Sequence, residues 1–334
     1  MFHPDNPLSA PTLRLTPFQR GDNYPDTGGA QQSLAGDGYS VHHPDMSDTA
    51  DLPPKRIQVA LSGSGFLLPV HVGALQAIEA AGYTVSVLSG TSGGAIVAAL
   101  YAVQQDANAL AELVLTTDWA PFMDFASWTN GWRLLTRRGI CATAAALDTF
   151  LIQQTEGRSF ADLPVELLVC ATNLRQGERQ VFSRSATPDL PIATAARASA
   201  SLPFVYPPKR IGKTLYVDGG LTDNIPGNLL LKDSGTPAVG VYLTGTAPQV
   251  SDQAPTLFAL ASLSVRDLLH GQEYLDRHAA PCVRFVAVDT GNLNMLDTRM
   301  SRDTRTALMR AGYDRMQSLL AEMAHDKPTT SIDL

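Results

Sequence analysis

Ser92, Asp218 and the run Gly63-Ser64-Gly65 are the residues whose types and settings could do covalent chemistry together. Ser92 stands in Gly90-Thr91-Ser92-Gly93-Gly94, a G-x-S-x-G pattern. A serine hydroxyl becomes a useful nucleophile once a neighbouring base takes its proton. Asp218 heads Asp218-Gly219-Gly220, and the glycines remove bulk beside its carboxylate. Attack on a carbonyl creates an oxyanion, which preorganised N–H donors stabilise. The Gly63-Ser64-Gly65 run offers such donors, Ser64 and Gly65 above all, and a helix starting at Ser92 adds Gly93. The same run is a poor phosphate loop, because no Lys-Ser/Thr pair follows at the required spacing. It is a poor dinucleotide loop, because Leu68 stands where the last glycine belongs. That leaves an oxyanion hole. Each piece alone is weaker: G-x-S-x-G is also a small-residue turn, and Asp-Gly-Gly also a cap or turn.

The flanking elements supply the context. Thr84 to Leu88 is short, β-branched and apolar, which suits a buried strand, and Ala95 to Val103 suits a helix packed on a sheet. Ser92 therefore falls on a tight strand-to-helix turn that thrusts its hydroxyl outward. Arg56–Leu61 reads as a strand running into the Gly63 loop, followed by a helix over Val70–Ala81 ended by Gly82. Neighbouring parallel strands place both turns at one sheet edge. Further on, Ala107–Thr116, Ala142–Gln154 and Pro188–Ala200 read as helices. Glu166–Ala171, Arg179–Ser183, Thr214–Val217, Ala238–Leu243 and Val283–Val288 read as strands. Helical stretches near 255–278 and 299–325 follow. The alternation predicts an α/β fold, a three-layer α/β/α sandwich with a mostly parallel central sheet.

At these residues the chain resembles the patatin-like phospholipases. That family shows a glycine-rich loop, then G-x-S-x-G, then a distant Asp-Gly-Gly or Asp-Gly-Ala, in this order. The stretch Ala196-Arg197-Ala198-Ser199 through Pro207-Pro208 and the Asn224 and Pro226 that follow Asp218 also match its pattern. The resemblance covers about residues 55 to 325 and implies a Ser–Asp dyad, with Ser92 as nucleophile and Asp218 as base. It implies oxyanion donors among Gly63, Ser64, Gly65 and Gly93, with Gly90, Gly94, Gly219 and Gly220 as motif support. It implies hydrolysis of fatty-acyl esters of phospholipids or lysophospholipids at a lipid or membrane surface, without metal or cofactor. An activating protein partner is left open. The chain departs from the family's G-G-G-x-[RK]-G loop at Ser64, Leu67 and Leu68. The two leucines are expected to make the entrance apolar and to remove a head-group cation.

Two other readings compete. A Ser-Asp-His triad of the α/β-hydrolase type would draw on His270 or His278, although only two strands precede Ser92. A non-catalytic lipid-binding relative would have Leu67 and Leu68 blocking the loop. The aromatic stretch Trp119 to Trp132, closed by Arg133, Arg137 and Arg138, reads as a cap over the core, or as a lid meeting lipid.

Composition bounds the rest. A net charge of −7 with no basic run argues against a nucleic-acid partner. Cys141, Cys170 and Cys282 are too few and too scattered for a disulfide framework or a metal knuckle, and read as buried thiols. No apolar run reaches the roughly 18 residues of a spanning helix, and no signal-peptide pattern opens the chain. A cytoplasmic location is expected, with secretion lacking a cleaved signal as the alternative. Residues 1–54 hold eight of the 22 prolines and seven aspartates against two arginines, which predicts a disordered leader. A catalytic domain is expected over 55–325, and a disordered tail over 326–334.

Overall fold

Strand β1 (Lys55–Leu61) and strand β2 (Tyr83–Thr91) pair in parallel near the centre of one mixed sheet. The computed structural model describes residues 55–123, 144–230, 235–245 and 257–325, leaving aside the side chains of 257–263 and 266. The expected leader over 1–54 and tail over 326–334 lie outside them. The other strands are β3 (Glu166–Asn173), β4 (Glu178–Phe182), β5 (Lys209–Ile211), β6 (Thr214–Asp218), β7 (Ala238–Thr244) and β8 (Arg284–Asp289). The order is β5-β6-β3-β2-β1-β7-β8, with β4 also on β3. The pairs β3–β2, β2–β1, β1–β7 and β7–β8 are parallel, and β3–β4, β3–β6 and β5–β6 antiparallel.

Helices cover the sheet: α1 (Pro69–Ala80), α2 (Gly93–Gln104), α3 (Ala107–Thr116), α4 (Ala145–Gln154), α5 (Ile192–Ser199), α6 (Leu257–Ala279) and α7 (Arg302–His325). Strand alternation sorts the core into two clusters. Ile57, Val59 and Leu61 of β1 join the large cluster with α1, α2 and α3, whereas Ala60 joins a smaller one with Ile225, Leu230, Ala280 and Val283. Burial on both faces explains why Val59, Ala60 and Leu61 of β1 are all apolar rather than alternating with polar residues.

One register feature positions the site. β4 occupies one edge of β3 along Val169–Asn173. On the opposite edge β2 pairs up to Cys170, which faces Thr91. There β6 takes over at Ala171, which faces Asp218. The two strands arrive from opposite directions, so Thr91 and Asp218 end head to head against consecutive residues of β3.

Some expectations need correction. The helix read over Pro188–Ala200 is shortened to Ile192–Ser199, with Pro191 extended at its N-cap. The three-residue β5 carries Lys209 and Arg210 and gave no apolar signal. Cys170 is buried as expected, but Cys282 is exposed. Among the described residues no helix is long and apolar enough to cross a membrane.

Candidate active site

Ser92 sits between β2 and α2 with φ 50° and ψ −122°. A side chain at such a φ costs on the order of 1–3 kcal/mol and persists only where the surroundings enforce it. The surroundings here are tight. A Cβ on Gly94 would strike the carbonyls of Leu61 and Ser62, so only glycine lets α2 start this close to the preceding loop. The Ser92 N–H donates to Ser199 Oγ on α5 at 2.8 Å.

The Ser92 hydroxyl donates to Asp218 Oδ2 at 2.6 Å. Asp218 is pinned on all sides. Its Oδ1 accepts the Gly220 N–H at 2.8 Å, its own N–H donates to Ser201 O at 3.0 Å, and its carbonyl accepts Thr172 Oγ1 at 2.8 Å. The residue is 1% exposed. Burial pushes its pKa up to about 6, while the bonds from Ser92 and Gly220 pull the other way. A carboxylate so raised is a better base near neutral pH than one at its ordinary value.

The loop after β1 faces this pair. A Cβ on Gly63 would lie 3.6 Å from Ser92 Cβ, and one on Gly93 would collide with Ser64 Oγ and Gly65, so the loop and the start of α2 converge. Among the described residues the N–H groups of Ser64, Gly65 and Gly93 have no protein acceptor. Gly93 is an open donor at the start of α2, and Ser64 and Gly65 are open donors in the loop after β1. Gly63, expected among the donors, drops out of that set: its N–H is already donated to Asn224 O at 3.0 Å.

The departures at Leu67 and Leu68 have a structural reason. They are 3% and 1% exposed and pack in the large core cluster. They do not line an entrance and do not block the loop from outside. Pro69 starts α1 directly after them. Phe66 meets Trp119 edge to face at 6.2 Å between ring centroids. Trp119 in turn meets Phe122 and Phe150, so residues 119–123 of the aromatic stretch cap the core. Its continuation through Trp128, Trp132 and Arg138 lies outside the described residues. Beneath the loop His71 Nε2 bonds Ser62 O at 2.9 Å. Burial lowers its pKa to about 4, so the ring is neutral at neutral pH.

The triad histidines are elsewhere. His270 is exposed, and so is His278, whose Nδ1 bonds Tyr274 O at 2.7 Å. Among the described residues no histidine bonds Ser92 or Asp218.

Sequence reasoning missed what holds the site. Ser199 and Ser201 lay inside a motif that was noticed only as a match. Glu273 and Asp276 of α6, which meet the 224–225 backbone and side chain, were not noticed. A signal for them exists. Leu269, Glu273, Asp276 and Ala280 recur at helical spacing and are all buried, while Leu268 and Leu275 of the same helix are exposed. Two carboxylates in the buried stripe of a helix need partners inside the molecule.

A family model described as patatin-like phospholipase matches residues 59–231, slightly more than half of the chain. An uncharacterized NTE family protein of Mycobacterium tuberculosis is 30% identical over 215 residues, which are 61% of this chain and 34% of the relative. The chain thus spans about a third of that relative's length. The uncharacterized protein YqhO of Bacillus subtilis is 25% identical over 297 residues, covering 80% of this chain and 99% of YqhO. VipD from Legionella pneumophila superposes with a TM-score of 0.53 over 80% of this chain and 67% of VipD. At 17% identity this likeness speaks to the fold.

Proposed function

Because the chain belongs to the patatin-like phospholipase family, we propose that it is a lipid acyl hydrolase in which Ser92 and Asp218 form the catalytic dyad. The observation that carries the reading is the 2.6 Å bond from Ser92 Oγ to a buried carboxylate, set beside three open N–H groups.

The reaction follows from that arrangement. Ser92 Oγ attacks the ester carbonyl as Asp218 Oδ2 takes its proton. The carbonyl oxygen becomes an oxyanion facing the N–H groups of Ser64, Gly65 and Gly93. Collapse breaks the C–O bond to the alcohol, which leaves with the proton held by Asp218, and an acyl-serine remains. Water then gives a proton to Asp218 and attacks the acyl carbon. The second collapse frees the fatty acid and returns the proton to Ser92. No step needs a metal or a cofactor.

The substrates proposed are fatty-acyl esters of phospholipids and lysophospholipids. Family membership supports this class. The apolar Leu67 and Leu68 no longer bear on it, since both are in the core. The test is hydrolysis of a p-nitrophenyl acyl ester, followed by chain-matched phosphatidylcholine, phosphatidylglycerol, lysophosphatidylcholine and triacylglycerol. Turnover of phospholipid or lysophospholipid supports the proposal. Fast turnover of triacylglycerol alone would leave an esterase that is not a phospholipase.

A further inference from the structure

The turn after Asp218 is tied to two places at once. On one side, Asn224 O accepts the N–H of Gly63 in the oxyanion loop at 3.0 Å. The Asn224 side chain also fills the space beside Gly63 and Gly220, where a Cβ on either glycine would meet Asn224 Oδ1. On the other side, the N–H groups of Asn224 and Ile225 both donate to Asp276 Oδ2 on α6, at 2.6 and 3.2 Å. Gln272 Nε2 steadies the other oxygen of Asp276 at 2.7 Å. Glu273 Oε2 receives the Asn224 amide at 3.5 Å. Asn224, Glu273 and Asp276 are 5, 6 and 4% exposed.

We propose that Asp276 is a positioning residue for the oxyanion loop, acting through the backbone of Asn224; this rests on the hydrolase reading above. The physical case is one of alternatives. A buried carboxylate is costly unless its lone pairs are used. Asp276 lies 52 residues from Asn224 in sequence and uses them on the turn whose Asn224 carbonyl holds Gly63. With Asp276 holding the turn, Asn224 O is fixed toward Gly63. Gly63 is then held, and the next two N–H groups, those of Ser64 and Gly65, keep their places without a protein acceptor. Remove the carboxylate, and two buried N–H groups lose their acceptor. The turn must then reorganise, and the loop loses its anchor while the Ser92–Asp218 bond, fixed by sheet register, remains. The matched family segment ends at residue 231, before α6, so the motifs carry no trace of this contact.

The test uses the full chain and p-nitrophenyl butyrate, with a long-chain trifluoromethyl ketone as the probe of the oxyanion site. That ketone adds to a serine hydroxyl and places an oxyanion where the reaction places one. Asp276→Ala is expected to lower kcat about 10- to 100-fold with little change in KM, less than or up to the loss from deleting one oxyanion donor outright. The inhibition constant of the ketone should rise by the same factor. Asp276→Asn keeps an oxygen able to accept both N–H groups and should restore most of the rate. Melting temperatures separate these losses from unfolding. If Asp276→Ala does not fold, Gln272→Leu decides: a loss of about threefold in kcat at unchanged KM supports the proposal, the scale of a weakened hydrogen bond. Unchanged kcat in the folded variant, ketone affinity that does not follow kcat, or Asp276→Asn no better than Asp276→Ala would overturn it. A wild-type chain that hydrolyses no ester overturns the hydrolase reading and this proposal together, whereas an active wild type with an indifferent Asp276→Ala overturns this one alone.

Discussion

Ser92 and Asp218 are placed by the register of two strands on one shared neighbour, whereas the loop at Gly63 to Gly65 is held by single hydrogen bonds from three separate segments. The nucleophile follows β2 directly, and the base ends β6, with both strands meeting on one edge of β3. Their relative position is a matter of sheet register, which is strongly specified where both faces are buried. The loop leaves β1 into a turn whose N–H groups find acceptors on Val241, Asn224 and Met295, all far away in sequence. The two halves of the site should therefore fail differently. Loss at the dyad removes chemistry and leaves the fold. Loss at the loop's supports shifts donors and weakens chemistry by degrees.

The largest effect should come from the dyad. Ser92→Ala and Asp218→Asn should each lower kcat by at least about a thousandfold, with the double variant no worse than either single, because the pair acts as a unit. Both proteins should melt within a few degrees of wild type. A double variant far slower than either single would mean that the two residues do not act together.

The next effect is in the pH profile. Asp218 must be ionised to act as base, and burial raises its pKa to about 6. The value of kcat/KM should therefore fall tenfold per unit below about pH 6 and level off above it. Stability should move the other way for this group. Folded Asp218 holds its proton up to about 6, against an ordinary value of 3.8. Its contribution favours the fold fully below 3.8 and is lost as pH rises through about 6. Asp218→Asn should remove that part of the pH dependence of unfolding measured in denaturant.

Leu67→Ala probes the loop's anchor in the core. It deletes a residue 3% exposed and should cost about 2–5 kcal/mol of stability. The relative rates on phosphatidylcholine and phosphatidylglycerol should stay as they are, since the side chain faces the core. A change in that preference at undiminished stability would return Leu67 to the substrate path. The smallest effect belongs to His270→Ala and His278→Ala, which should leave kcat near wild type. A large loss with either would move the case to a triad.

What the sequence made legible was local. The strand, turn and helix around Ser92 show themselves in adjacent residues, and so does the strand ending at Asp218. The parallel alternation followed from the same short-range signals. What it hid was long-range. That β2 and β6 share an edge of β3 depends on β4 taking the other edge, which no single segment announces. Leu67 and Leu68 stand at the end of a loop pattern in the sequence, yet their partners in the core come from distant elements. Gly63 looked like a donor because its partner, Asn224 O, is far along the chain. Asp276 belongs to the same class, a polar residue on a buried helix stripe whose partner only the fold supplies.

The most direct test of the dyad is covalent. The protein is mixed with a p-nitrophenyl acyl ester, quenched in acid within one turnover and analysed by peptide mass spectrometry. The Ser92–Asp218 dyad requires an acyl group on Ser92 in the wild-type chain, formed far more slowly in Asp218→Asn and absent in Ser92→Ala. An acyl group on another residue, or acylation of Ser92 at the wild-type rate in Asp218→Asn, would contradict it.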